Sequence, residues 1–173
     1  CGVPKNDKKA DLVIEKGTEM GAERFIFFPS QYAVGKWRPN KVERKLTRLQ
    51  KKVRSAAEQS HRNMVPKVEY IQGIGDLIKL PADYKIVAYE ESAKQGEASQ
   101  LHQQLEMAKD DIKAGKHPSM LAVFGPEGGI APEEIQKYKA AGFAVCGLGP
   151  RILRTESAPL YFLSAVSYAT ELS

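Results

Sequence analysis

Cysteine is scarce in this 173-residue chain: Cys1 opens it and Cys146 lies inside an apolar run. Two cysteines make no disulfide framework, which points to a reducing, cytoplasmic setting. The three histidines, His61, His102 and His117, have no metal-ligand spacing with one another or with the cysteines, so no metal site is expected. No apolar run reaches the ~18–20 residues of a membrane span and no signal peptide leads the chain, so no membrane partner is expected either. Position 1 is not Met, as in a piece of something longer. No Gly-Lys-Ser/Thr or GxGxxG signature occurs, which excludes a P-loop and argues against a dinucleotide fold. What remains is an ordinary folded composition, 42% hydrophobic and 27% charged, and enough length for one domain with a sizeable core.

Charge is distributed unevenly. Eleven Lys and Arg stand between Lys36 and Lys67 against Glu43 and Glu58, a balance of +9 in a chain whose net charge is +5. As a helix from about Asn40 to Ser60, the segment sorts itself. Val42, Leu46, Leu49, Val53, Ala56 and Ala57 form one stripe, while Lys41, Arg44, Lys45, Arg48, Lys51 and Lys52 face the other way. Most charge runs are solvated faces, but salt-bridged surface helices usually mix signs. One-sided positive charge suits a polyanion such as a nucleic acid, and Lys41, Lys45, Arg48 and Lys52 are the expected contacts.

Along the chain, helical and strand-like segments alternate. Helices are expected at Lys8–Met20 (stopped by Gly21), near Asp76–Leu80, and at Gln100–Ala114 and Pro132–Ala141 (stopped by Gly142). A last helix starts at an N-cap Ser157 with Pro159 in its first turn. Strands are expected at Arg24–Pro29, Lys67–Ile71, Tyr84–Tyr89, Met120–Phe124 (a continuous apolar run, as in a central parallel strand) and Ala144–Leu148. Ser92–Ser99 reads as a polar loop. The alternation gives an α/β fold with a mostly parallel sheet. The last helix is apolar nearly all round, with Leu160, Tyr161, Phe162, Leu163, Val166 and Tyr168 among its residues. Such a helix needs burial on more than one side, and a second subunit is the expected cover.

Ligands of open α/β sheets bind beyond the carboxyl ends of strands, and two such ends stand out. Phe124-Gly125-Pro126-Glu127-Gly128-Gly129-Ile130 offers glycines that let backbone pass close to a ligand. Leu148-Gly149-Pro150-Arg151-Ile152-Leu153-Arg154-Thr155-Glu156 crowds two arginines, a threonine and a glutamate at a helix N-terminus, where the dipole favours anions. Either could be an ordinary turn by itself.

Together, FGPEGGI (124–130) and LGPRILRTESA (148–158) closely resemble the C-terminal domain of the RsmE family. These are SPOUT-superfamily enzymes that use S-adenosylmethionine to methylate N3 of a uridine in 16S ribosomal RNA. KGTEMGA (16–22) resembles the family's Lys-x-x-Glu-Leu-Gly helix end, and AEQSHR (57–62) its Glu-Gln-x-x-Arg element. Departures are small: Met20 for Leu, Ser157 for Thr, and Pro159 inside the last helix. The resemblance implies a parallel sheet flanked by helices whose C-terminal part forms a trefoil knot, and a homodimer acting on the small ribosomal subunit. It implies S-adenosylmethionine bound by Tyr89, Phe124, Gly125, Gly129, Leu148, Gly149, Ile152, Leu153 and Thr155. It also implies that the chain is the methyltransferase domain alone, starting just past the family's N-terminal RNA-binding β-barrel. Arg154 and Glu156 are the first catalytic candidates, with Arg62 and Glu127 behind them. Arginine is too weak an acid to serve as a base, so Arg154 suits charge stabilisation or a phosphate, while a dedicated base stays open. A ribose 2′-O enzyme of the same superfamily is the nearest alternative. A non-catalytic RNA-binding module would explain the basic helix but neither loop.

Overall fold

The protein is described from a computed structural model covering residues 1–91 and 99–172. The expected polar loop at 92–99 lies, but for Ser99, outside the described residues. Helix α1 (Asp7–Glu19) starts where the Asn6 side chain accepts the Lys9 N–H, and it buries Ala10, Val13, Ile14, Gly17 and Thr18. Strand β1 (Arg24–Phe27) follows, then α2 (Pro39–Gln59), β2 (Lys67–Tyr70) and the one-turn α3 (Ile74–Leu77). The chain continues through β3 (Tyr84–Ala88), α4 (Ser99–Lys113), β4 (Met120–Val123), α5 (Pro132–Ala140), β5 (Ala144–Cys146) and α6 (Ser157–Glu171). The α/β reading is borne out, with every described ladder parallel.

The ladders run β1-β2 and β4-β3-β5. Residues 1–3 join them. The Val3 N–H donates to Phe28 O at 3.0 Å on one side, and the Gly2 N–H donates to Phe124 O at 2.8 Å on the other. β4, within the apolar run at 120–124, is thus an outer strand of the three-stranded ladder centred on β3, but residue 2 bonds its other side at Phe124. The run is apolar because both faces of β4 are covered. Met120 and Ala122 pack with Leu101, Leu105 and Phe162 of α4 and α6, whereas Leu121 and Val123 pack with Ile135 and Tyr138 of α5.

Two helix expectations change: the short helix is Ile74–Leu77 rather than near Asp76–Leu80, and the residue preceding α6 is Glu156 rather than Ser157, with no side-chain cap. The all-apolar α6 buries only Pro159 and Phe162 within this chain, leaving Tyr161, Tyr168 and, just after the helix, Leu172 exposed. The α2 stripe meets its expectation: Leu49, Val53, Ala56 and Ala57 are buried, and Val42 and Leu46 pack against the same cluster.

Candidate active site

The first loop leaves β4 at Phe124 and turns back at Gly129, whose N–H donates to Pro126 O at 2.9 Å. Gly128 lies so close to the loop following β1 that a Cβ there would sit 2.6 Å from Tyr32 O. Gly129 holds φ at +76°, and a Cβ there would meet nothing nearer than Glu90 Oε1 at 3.9 Å, so it faces open space. That space is a cavity of about 530 Å³ between this loop and the second one, which leaves β5 and ends where Ser157 N–H donates to Arg154 O at 2.8 Å.

All nine residues expected to hold a cofactor line the cavity: Tyr89 from the end of β3, Phe124, Gly125 and Gly129 from the first loop, and Leu148, Gly149, Ile152, Leu153 and Thr155 from the second. Arg154 and Glu127 line it as well. Phe124 is 6% exposed and Ile152 71%, so the cavity has an apolar floor and an apolar lip open to solvent.

Its charges are organised around Lys9, which the sequence reading missed. The Lys9 ammonium stands 3.0 Å from Glu127 Oε1 and 3.0 Å from Glu156 Oε2. Both carboxylates hold Lys9 above the ordinary lysine range through hydrogen bonds, outweighing its partial burial. Burial pushes the Glu127 carboxyl up, but the Lys5 N–H, its own N–H and Lys9 outweigh it and hold it below the usual range. Glu156 behaves alike: burial raises it, and its own N–H, Lys9 and the nearby Arg154 charge lower it further. Arg154 itself is exposed and forms no ion pair among the described residues.

The sign of the pH effect follows. Both carboxyls titrate lower in the folded chain than in the unfolded one, so their stabilisation is complete above the ordinary carboxylate range and fades as pH falls through the folded values. The urea midpoint of the wild type is expected to drop more steeply below about pH 4.5 than that of Glu127→Gln with Glu156→Gln. Parallel curves would mean that the pair contributes nothing.

A family model described as an RNA methyltransferase domain matches residues 1–167. The chain belongs to the RNA methyltransferase domain family. A ribosomal RNA small subunit methyltransferase E from Bacillus subtilis is 45% identical over 173 residues, 99% of this chain and 65% of that protein. Its namesake in Mycobacterium bovis is 34% identical, over 97% of this chain and 61% of its own. The RNA methyltransferase domain described here therefore spans somewhat under two thirds of these relatives' length. Among solved structures, a ribosomal RNA small subunit methyltransferase E from Neisseria gonorrhoeae bound to S-adenosyl methionine is 30% identical, with a TM-score of 0.75 over 96% of this chain and 62% of that one. A Legionella pneumophila structure at 23% identity and TM-score 0.79 shares the fold. The RsmE resemblance carried by the motifs is borne out.

Within this RNA methyltransferase domain, two of the four catalytic candidates do not line the cavity. Glu156 instead reaches the cavity-lining Lys9, and Arg62 is turned elsewhere. Its guanidinium donates to the α1 end, to Thr18 O at 3.0 Å, Ala22 O at 2.5 Å and Gly21 O at 3.4 Å. The AEQSHR and KGTEMGA motifs thus meet each other rather than the ligand. The basic stripe is also divided. Lys45 pairs with Asp7, Arg48 with Asp11 at 2.7 Å and Lys52 with Glu15 at 2.6 Å, so three of the four expected RNA contacts zip α2 to α1. Lys41 remains exposed, as do Arg44, Lys51 and Arg54, and none of these four forms an ion pair among the described residues. Lys9 had one local signal: Lys8 and Lys9 occupy the first turn of α1, where the helix dipole disfavours cations.

Proposed function

We propose that this chain is the catalytic domain of an S-adenosylmethionine-dependent methyltransferase acting on N3 of a uridine in 16S ribosomal RNA of the small subunit. It works as a cytoplasmic homodimer on a knotted fold. The observation that carries the reading is the cavity at the ends of β3, β4 and β5, lined by all nine residues that the motifs implied. Its volume lies within the ~300–1,000 Å³ range of small-molecule sites. The Neisseria gonorrhoeae relative, bound to S-adenosyl methionine, supports the choice of cofactor.

The residues fit that group. Phe124, Leu148, Ile152 and Leu153 give apolar walls for an adenine, and the loop backbones supply donors and acceptors. When bound, its sulfonium supplies an activated methyl group. The chain must then deal with the proton on uracil N3. Glu127 and Glu156 are ionised but held below their usual range and tied to Lys9, which makes them poor proton acceptors. Arg154, exposed at the cavity and without an ion pair among the described residues, is placed to stabilise negative charge on the base or a phosphate. Positioning supplies the rest. The exposed Tyr161 and Tyr168 of α6, with Leu172 just after it, support a subunit contact.

The test is methyl transfer from labelled S-adenosylmethionine to small-subunit particles, read by nucleoside mass spectrometry, with light scattering for the dimer. N3-methyluridine is the expected product; 2′-O-methyl nucleosides or no transfer would overturn the reading. For the RNA face, Arg44→Glu, Lys51→Glu and Arg54→Glu together are expected to reduce the log–log salt slope of RNA binding by about 2 units, while cofactor affinity is kept. An unchanged slope would place RNA elsewhere.

A further inference from the structure

We infer that Lys9 is a positioning residue of this site, an ionic bridge that sets the spacing of the two loops between which the cofactor would bind. The inference rests on the proposed function for the identity of that cofactor. It does not rest on it for the bridge itself.

Lys9 stands on α1, outside both loops, and its ammonium reaches one carboxylate on each: Glu127 of the first loop and Glu156 at the entry to α6. With both contacts at 3.0 Å, the two carboxylate oxygens lie no more than about 6 Å apart. All three side chains are largely shielded, with exposures of 23%, 23% and 15% for Lys9, Glu127 and Glu156. Two like charges at that separation, partly out of water, repel strongly unless a cation stands between them. Besides Lys9 and Glu127, the charged residues lining the cavity are Glu90, Arg151 and Arg154; Glu156 is not among the lining residues and meets the site through Lys9. Arg154 adds to the field that keeps Glu156 ionised, but no contact to Glu127 is seen, so it does not join the two loops.

The rest of the N-terminal segment backs the first loop from the same side. The Gly2 N–H donates to Phe124 O, and the Lys5 N–H reaches Glu127 Oε1 at 3.0 Å and Oε2 at 3.1 Å. Gly2 also lies against Pro126, where a Cβ would be 2.7 Å from the ring. The first loop is therefore held by one backbone bond to residue 2 and by the Lys5 N–H on the Glu127 carboxylate. Glu156 has no such tether to this segment. Lys9 is what carries the fixed position of the first loop across the cavity to the second.

The experiment compares wild type, Lys9→Met, Lys9→Arg, and Lys9→Met combined with Glu156→Gln. Hydrogen exchange on the protein without cofactor is expected to quicken in Lys9→Met at both 125–129 and 150–156, with the sheet unchanged, and to return toward wild type in Lys9→Arg. Calorimetry with S-adenosylmethionine is expected to show a loss of about tenfold or more in Lys9→Met. Lys9→Arg should stay within about threefold of wild type. The double variant should recover part of the loss because the repulsion is gone, an effect that a merely structural lysine would not produce. Unchanged exchange in Lys9→Met overturns the bridge, as does a double variant no better than Lys9→Met. Should Lys9→Met fail to fold, Glu156→Gln alone is expected to quicken exchange at 150–156, and no change there counts equally against it. If wild type itself fails to bind S-adenosylmethionine, the proposed function falls, while the exchange data still decide the bridge.

Discussion

Gly129→Val is expected to abolish measurable S-adenosylmethionine binding, raising Kd by at least ~100-fold, in a protein that still folds. Two effects act together. A β-branched residue at φ +76° is strained by about 1–3 kcal/mol, which shifts the loop locally. The added side chain would also enter the cavity, its Cβ meeting nothing nearer than Glu90 Oε1 at 3.9 Å. The control is Gly142→Val after α5, where φ is +82° and a Cβ meets nothing within 4 Å. It carries the same strain away from the cavity, so it should lower Tm yet leave binding intact. Retained binding in Gly129→Val would show that the first loop does not cradle the cofactor. Equal loss in both variants would assign the effect to strain alone.

Arg62→Met is expected to do the reverse: Tm falls by about 5–15 °C while cofactor affinity changes less than threefold. The guanidinium caps the end of α1, donating to Ala22 O at 2.5 Å and to Thr18 O at 3.0 Å, which also accepts the Gly21 N–H. Hydrogen bonds to a charged group contribute about 1.5–3 kcal/mol each, less when half-exposed, so about 2–4 kcal/mol in all. In a domain of this size each kcal/mol moves Tm by about 2–4 °C. A calorimetric scan together with a binding isotherm checks both halves. A stable variant that no longer binds cofactor would restore Arg62 to the active site.

The contrast between these residues shows what the sequence could convey. The α2 stripe was legible because Leu49, Val53, Ala56 and Ala57 obey one period within one helix, and the structure buries all four. The two loops were legible because glycines and apolar residues at strand ends have few other uses, and every cofactor residue named from them faces the cavity. The AEQSHR motif marked Arg62 as needed without saying for what, and the structure places its guanidinium on the end of α1. Lys45, Arg48 and Lys52 looked like a bare cationic face only because their partners Asp7, Asp11 and Glu15 lie 37 or 38 positions away on another helix. Lys9 was harder still, with partners 118 and 147 positions distant. Periodicity reports neighbours along one element, and these contacts exist only after elements dock.

The stitching of residues 1–3 between β1 and β4 carries a consequence for how the molecule comes into being. The Gly2 N–H finds Phe124 O only after residue 124 has been synthesised. At ~5–20 residues per second, a ribosome needs about 6–24 s to supply those intervening 122 residues. From the emergence of residue 28 until that of residue 124, residues 1–3 can pair on one side only, as an open strand edge liable to pair with a neighbouring chain. Contacts so distant in sequence also slow the search for the final arrangement. Newly made chains should therefore depend on chaperones until β4 emerges, and refolding yield should fall as protein concentration rises.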